Sequence, residues 1–245
     1  MVRPVRKFAF LQLAALFAAL IASAPAVHGQ SGDFIVAQHG KPVGTASFKF
    51  AATPNGYDST ALVRTAMQGL DYALSKTERL SLANHLRHVQ LSAIVNGSVV
   101  NVTAAPDSAQ ILLNISANGR ATTTRLAPHP AAVFLPDFDP GALETLLALA
   151  VAGNNRNLWA VIPKKAGTIE PIQLATLADE QGALDGKPVV VHHLVATIGG
   201  AMTDLFSGPE NQLLQAELPQ QGFALVRKGF VLTPPVKPGA PPAAQ

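Results

Sequence analysis

Alternation of apolar and polar residues at a period of two dominates this chain, and short turn signals punctuate it. In Val43–Phe50 the positions Val43, Thr45, Ser47 and Lys49 oppose Gly44, Ala46, Phe48 and Phe50. Leu213, Gln215 and Glu217 likewise oppose Leu214, Ala216 and Leu218. Successive side chains on a strand point to opposite faces, so these runs predict strands with one buried and one wet face. His39-Gly40 separates Phe34–Ala37 from Val43–Phe50, and Asn96-Gly97 separates Val89–Val95 from Val99–Thr103. Asn118-Gly119 stands between Ile111–Ser116 and Arg120–Arg125. A two-residue hairpin needs positive φ at both central positions, which Asn and Gly adopt readily. Asp185-Gly186 before Val189–Thr197 and the Pro209-Glu210-Asn211 segment add two further turns. About ten to twelve strands of ordinary length fit this pattern.

The period changes once. Asp139 is a helix cap by type, Pro140 suits the first helical position, and Leu143, Leu146, Leu147 and Ala150 return at helical spacing before Gly153. This predicts one helix over Pro140–Ala152. The stretch from Thr60 to Asn84 reads equally as two strands or as a strand and a short helix. The fold class is therefore mainly β: an antiparallel curved sheet or incomplete barrel with one central α-helix, in a single domain over residues 30–232. No internal repeat of fixed period is present.

Both ends depart from the alternating pattern. Arg3, Arg6 and Lys7 precede an apolar run from Phe8 to Ala24, and small residues follow up to Gly29. Basic, apolar, then small is the order of a secretory signal peptide, so residues 1–29 are expected to direct export. An uncleaved N-terminal anchor is the alternative, and only in that case does the chain touch a membrane. At the other end, Thr233–Gln245 holds Pro234, Pro235, Pro238, Pro241 and Pro242. Proline cannot donate to a strand ladder, so this segment is expected to be a disordered or extended tail.

Charge matters chiefly by what it excludes. The whole chain has 18 Lys and Arg against 15 Asp and Glu, but three of the cations lie in residues 1–29 with no carboxylate. The exported part is balanced, and no basic run remains to track a phosphate backbone, which argues against nucleic acid. There is no cysteine, so neither a disulfide nor thiol chemistry is available.

The order of segments is itself recognisable. An opening strand pair "FIVAQHGKPVGTASFKF" is followed by "LAPHPAAVFLPDFDPGALETLLALA", then "LWAVIP" and "VVVHHLVATIGG", and the chain closes with "MTDLFSGPENQLLQAELPQQGFALVRKGF". Over most of residues 34–230 this resembles the exported bacterial proteins grouped as domain of unknown function 3108. The resemblance implies a β-rich periplasmic protein and carries no activity with it. Phe206 stands where such proteins commonly have tryptophan.

Six histidines follow residue 29. His85 and His88, three apart, would meet on a helix but diverge on a strand, and the adjacent His192 and His193 diverge likewise. His129 sits between two prolines and His39 in a hairpin turn. Some of His85, His88, His192 and His193, with Asp137, Asp139 and Asp204 as available carboxylates, are the candidate ligands of a metal-assisted hydrolase, although their spacing does not show the convergence a metal requires. Asp137-Phe138-Asp139 is a carboxylate pair better explained by helix capping. Gly-x-Ser-x-Gly, Ser-x-x-Lys, Gly-x-Gly-x-x-Gly and P-loop patterns do not occur. Asn96-Gly97-Ser98, Asn101-Val102-Thr103 and Asn114-Ile115-Ser116 fit the glycosylation pattern, but in a bacterial protein they are strand and hairpin residues.

No catalytic, metal or cofactor residues are therefore assigned. The leading expectation is a non-catalytic cell-envelope protein, periplasmic or secreted, that binds or shelters an apolar ligand such as a lipid on the sheet's concave face. Leu143, Leu146, Leu147, Leu149 and Trp159 decide whether that face is filled or left open. A structural or protein-interaction module with an envelope protein partner is the second expectation.

Overall fold

The computed structural model describes residues 30–164 and 167–234; the expected signal segment 1–29 and the proline-rich end from residue 235 lie outside them. Eight strands form a meander, each antiparallel to the one before: β1 (Ser31–Gln38), β2 (Lys41–Thr53), β3 (Gly56–Met67), β4 (Leu70–Ser81), β5 (Leu86–Val95), β6 (Ser98–Asp107), β7 (Gln110–Ala117) and β8 (Arg120–Leu126). The two-residue turns have positive φ at both positions, 48° and 76° at His39-Gly40 and 49° and 80° at Asn96-Gly97. Those backbone angles match the right-handed twist of the strands they join. Thr60–Asn84 resolves into two strands, with Gly69 at φ 80° in the turn between β3 and β4.

After β8 the meander is interrupted. β9 (Ala132–Phe134) leads into α1 (Pro140–Ala152), and β10 (Leu158–Ile162) then pairs parallel to β9 with Ala160 opposite Val133. Parallel neighbours need a crossover connection, and α1 is that connection. The remaining strands are β11 (Thr168–Thr176), β12 (Glu180–Leu184), β13 (Lys187–Ile198), β14 (Ala201–Ser207), β15 (Leu213–Leu218), β16 (Phe223–Arg227) and β17 (Phe230–Leu232). β16 returns to β1, with Phe34 opposite Arg227, so β1 joins the two halves of the sheet. The sheet is curved and not closed.

The strand count is a correction: the described residues form seventeen strands where ten to twelve were expected. Strands of three to five residues such as β9, β12, β16 and β17 are too short to show alternation. Turns at Ser108-Ala109, Gly199-Gly200 and Lys228-Gly229 further divide runs that look continuous in sequence.

The helix fills the concavity. Its residues Leu143, Leu146, Leu147 and Leu149 are buried among Phe34, Phe48, Val63 and Leu225 in one large core. The Leu213–Leu218 alternation misleads. Leu213 and Leu214 are both fully buried, because β14 and β15 slip register at Phe206/Ser207 and leave Leu214 without a partner opposite. Leu214 enters a second, smaller core with Val191, Phe206 and Phe230 on the other face of the sheet. The expected wet face is therefore covered.

Leu146→Ala is expected to destabilise the protein by about 2–5 kcal/mol, the usual range for truncating a buried leucine. Val151→Ala, on the exposed side of the same helix at 60 % exposure, should stay within about 0.5 kcal/mol of the parent. Urea unfolding of the two variants, read by circular dichroism, checks both.

Candidate functional site

The functional candidate begins at the first turn of α1. The leading backbone N–H groups of a helix have no partner within it. Asp139 Oδ1 accepts from Gly141 N at 2.9 Å and Ala142 N at 3.2 Å, so the cap predicted from sequence is present. This carboxylate is buried, however, and its second oxygen lies 2.6 Å from Lys76 Nζ on β4. The same ammonium is 2.8 Å from Glu78 Oε2. Glu78 Oε1 has no hydrogen-bond partner, nor do the buried hydroxyls of Ser59 and Thr65 on neighbouring β3.

Why these groups point inward is visible in β4. Tyr72, Leu74, Lys76, Glu78 and Leu80 occupy one face at a period of two, and all five are buried. Lys76 sits between Ala61 and Leu91 on the flanking strands, and Glu78 between Ser59 and Val89. Burial alone would lower the Lys76 pKa, but the charges of Asp139 and Glu78 outweigh it and hold the ammonium above its ordinary value. Burial pushes the Glu78 carboxyl up, against the pull of Lys76. Tyr72 is also held up, by burial first and then by Asp137 and Asp139.

A second buried carboxylate fixes the helix to the other half of the sheet. Glu144 Oε1 accepts from Leu213 N on β15 at 2.9 Å and lies 3.8 Å from Arg227 Nη1 on β16. Burial raises its pKa to about 7 against the opposing effects of that amide and guanidinium.

Beside the helix N-terminus lies a cleft of about 180 Å³. Its walls are Leu135, Phe138, Leu143, Ile198, Leu218 and Leu225, and Asp139 reaches its floor. At the rim Lys164 Nζ pairs with Asp137 Oδ1 at 2.7 Å. Phe138 has φ 56°, unusual for a bulky residue, and packs edge-on to Tyr72 and Phe223. That backbone twist is what turns the chain from the β9 exit into the capped helix.

The histidines are dispersed. His193 lies between Glu180 (2.9 Å) and Asp204 (3.0 Å) and stacks on Phe206. His192 points away, to Asp179 at 3.0 Å, as strand geometry requires. His129 stacks on Trp159, with ring centroids 3.6 Å apart. His88 is exposed on β5, and His85 lies in the turn before it. His39 packs over Gly222. Among the described residues no three His, Asp or Glu side chains converge as metal ligands. Asn96, in the β5–β6 turn, ties it to the neighbouring β3–β4 turn by accepting from Asp71 N at 2.7 Å and donating to Gly69 O at 3.2 Å, and Asn114 bonds Thr103 and Thr123 across strands.

Lys76, Glu78, Glu144, Arg227 and Lys164 are absent from the candidates drawn from the sequence. The alternation Tyr72, Leu74, Lys76, Glu78, Leu80 is the signal that places two charges on an apolar face. The partners across the fold have no such signal.

No family model and no curated protein matches the chain, so its likeness to the domain of unknown function 3108 proteins rests on the segments quoted above. Among solved structures, a domain of unknown function 1089 family protein from Pseudomonas aeruginosa is similar over 72 % of this chain and 90 % of its own, at 10 % identity. Its TM-score is 0.39, a likeness too distant to carry an argument.

Lys76→Met should cost about 3–5 kcal/mol by stranding two buried carboxylates, measurable as a fall in the urea midpoint at pH 7. Glu144→Gln keeps the acceptor for Leu213 N but removes the titration. A carboxyl whose folded pKa is raised contributes its stability in full below the unfolded value near 4.5, and loses it as pH rises through about 7. The variant should therefore gain on the parent between those pH values, reaching at most about 3 kcal/mol above them. Thermal denaturation of both proteins across pH 4–9 reads the difference.

Proposed function

We propose that this is a non-catalytic cell-envelope protein that holds the apolar end of a small molecule in the cleft beside the helix N-terminus. The observation that carries the reading is the cleft itself, a concave, largely apolar surface with one ion pair at its rim. Pockets for whole drug-sized ligands run to about 300–1,000 Å³. At about 180 Å³ this one suits one ring or the end of an acyl chain, not a whole lipid. The helix occupies the remainder of the concave face, which narrows the binding surface expected from sequence to this one corner. Lys164 at the rim is placed to meet an anionic head group by exchanging its pairing with Asp137.

Location rests on the basic, apolar and small order of residues 1–29 and on the family resemblance. Among the described residues no helix is long and apolar enough to cross a membrane.

Native mass spectrometry of the exported form, purified gently from its own envelope fraction, tests the proposal. An added mass that matches an extractable lipid is expected in the parent and should be absent in Ala201→Trp, which fills the cleft from an exposed lining position. Lys164→Ala should weaken retention of an anionic ligand roughly tenfold, the order of one charge-assisted contact. A bare mass that stays unchanged after incubation with envelope lipids would overturn the reading and favour an interaction module.

A further inference from the structure

The Lys76, Glu78 and Asp139 cluster holds everything needed for an amide bond between two of its own side chains. We propose that Lys76 Nζ and Asp139 Cγ condense into an intramolecular isopeptide bond that ties β4 covalently to the first turn of α1.

The geometry supplies each part. The nucleophile is Lys76 Nζ, 2.6 Å from Asp139 Oδ2, so Cγ is one C–O bond beyond the contact. Oδ2 is the departing oxygen. The other oxygen, Oδ1, accepts from the backbone N–H groups of Gly141 and Ala142 at 2.9 and 3.2 Å. Two such donors at a helix N-terminus polarise the carbonyl and stabilise the negative charge that develops on it during attack. Glu78 Oε2 touches the amine at 2.8 Å, and Oε1 is unpaired. A buried carboxyl in that position can take the proton from the amine and return it to the departing oxygen.

The balance is simple. The ion pair is the resting form; transfer of a proton from ammonium to carboxylate within it gives a neutral amine and a carboxylic acid, a step whose cost is lowered where water is excluded. Nζ then attacks Cγ, and Glu78 removes an amine proton. The Cγ–Oδ2 bond breaks, and Oδ2 leaves as water with the proton Glu78 returns. An N–C bond replaces a C–O bond, one water is released, and no oxidant, metal or cofactor takes part. The product amide still offers Oδ1 to Gly141 and Ala142, so the helix cap survives. It also removes the charges of Lys76 and Asp139 from the interior, and Glu78, a carboxylate again once it has returned the proton, takes up one proton from solvent to be buried as a neutral acid.

The surroundings favour this over an ordinary surface ion pair. Both reacting side chains are wholly excluded from solvent, with 0 % exposure for each. Holding the reactants in place also supplies much of the barrier reduction that intramolecular reactions enjoy.

The test is peptide mapping of the full chain as it is expressed, with intact mass measured under denaturing conditions. The expected result is a mass short by one water and a tryptic species joining Thr65–Arg79, uncleaved after Lys76, to Leu126–Arg156. Glu78→Gln is close in shape, so it should fold and retain full mass at this site, with cleavage after Lys76 restored. Asp139→Asn offers a second readout, since the same bond would then form with loss of ammonia instead of water. Linear peptides alone in the parent, both when fresh and after prolonged incubation, would overturn the proposal and leave an ion pair. A water deficit that maps elsewhere, for example to Asp185-Gly186, would overturn it equally.

Discussion

The contact between Lys76 and Asp139 is the constraint around which the rest of the molecule is arranged. A helix laid into a concave sheet must bury its own N-terminus, where backbone donors lack partners. Asp139 satisfies two of them but brings a negative charge into a region without water. A buried carboxylate needs a cation and further hydrogen bonds to be tolerated. Lys76, projecting from the inner face of β4, supplies the cation. Cap, helix and strand are therefore one electrostatic unit.

The rest of the helix follows from its position as a crossover. It leaves β9 and delivers the chain to a parallel partner, β10, so it must cross the face of the sheet it serves. Asp139 fixes it to the N-terminal meander and Glu144 to β15, on the far side of the β1–β16 junction. These two anchors differ in character. The first is a compensated ion pair, whereas the second is a carboxylate held mainly by one backbone amide, with a guanidinium 3.8 Å away. Burial consequently dominates the titration of Glu144, and its ionisation works against the fold near neutral pH. The cleft opens where the capped turn leaves the sheet, so its floor and walls are set by the same anchors.

Much of the architecture is legible in local signals. Asn-Gly and Asp-Gly turns, strand alternation in Val43–Phe50, and the Asp139-Pro140 helix start are each decided within a few residues. Alternation also carries information beyond apolar content, because the period places Lys76 and Glu78 beside Tyr72, Leu74 and Leu80. Histidines that look like ligands in sequence separate once strands form: His192 and His193 face opposite ways and find different carboxylates. The short strands β9, β12, β16 and β17 fall below the length at which periodicity has meaning.

What the sequence determined by itself was the mainly β class, the positions of the principal hairpins, and the limits and cap of α1. These depend on backbone preferences and periodicity over short spans. The tertiary structure alone decided that β9 and β10 run parallel, that Leu214 is buried despite the alternation, and that Asp139 meets Lys76 from 63 positions away. Such contacts arise from how strands register and how a helix settles on them, and no local pattern encodes which distant side chain will face a buried charge.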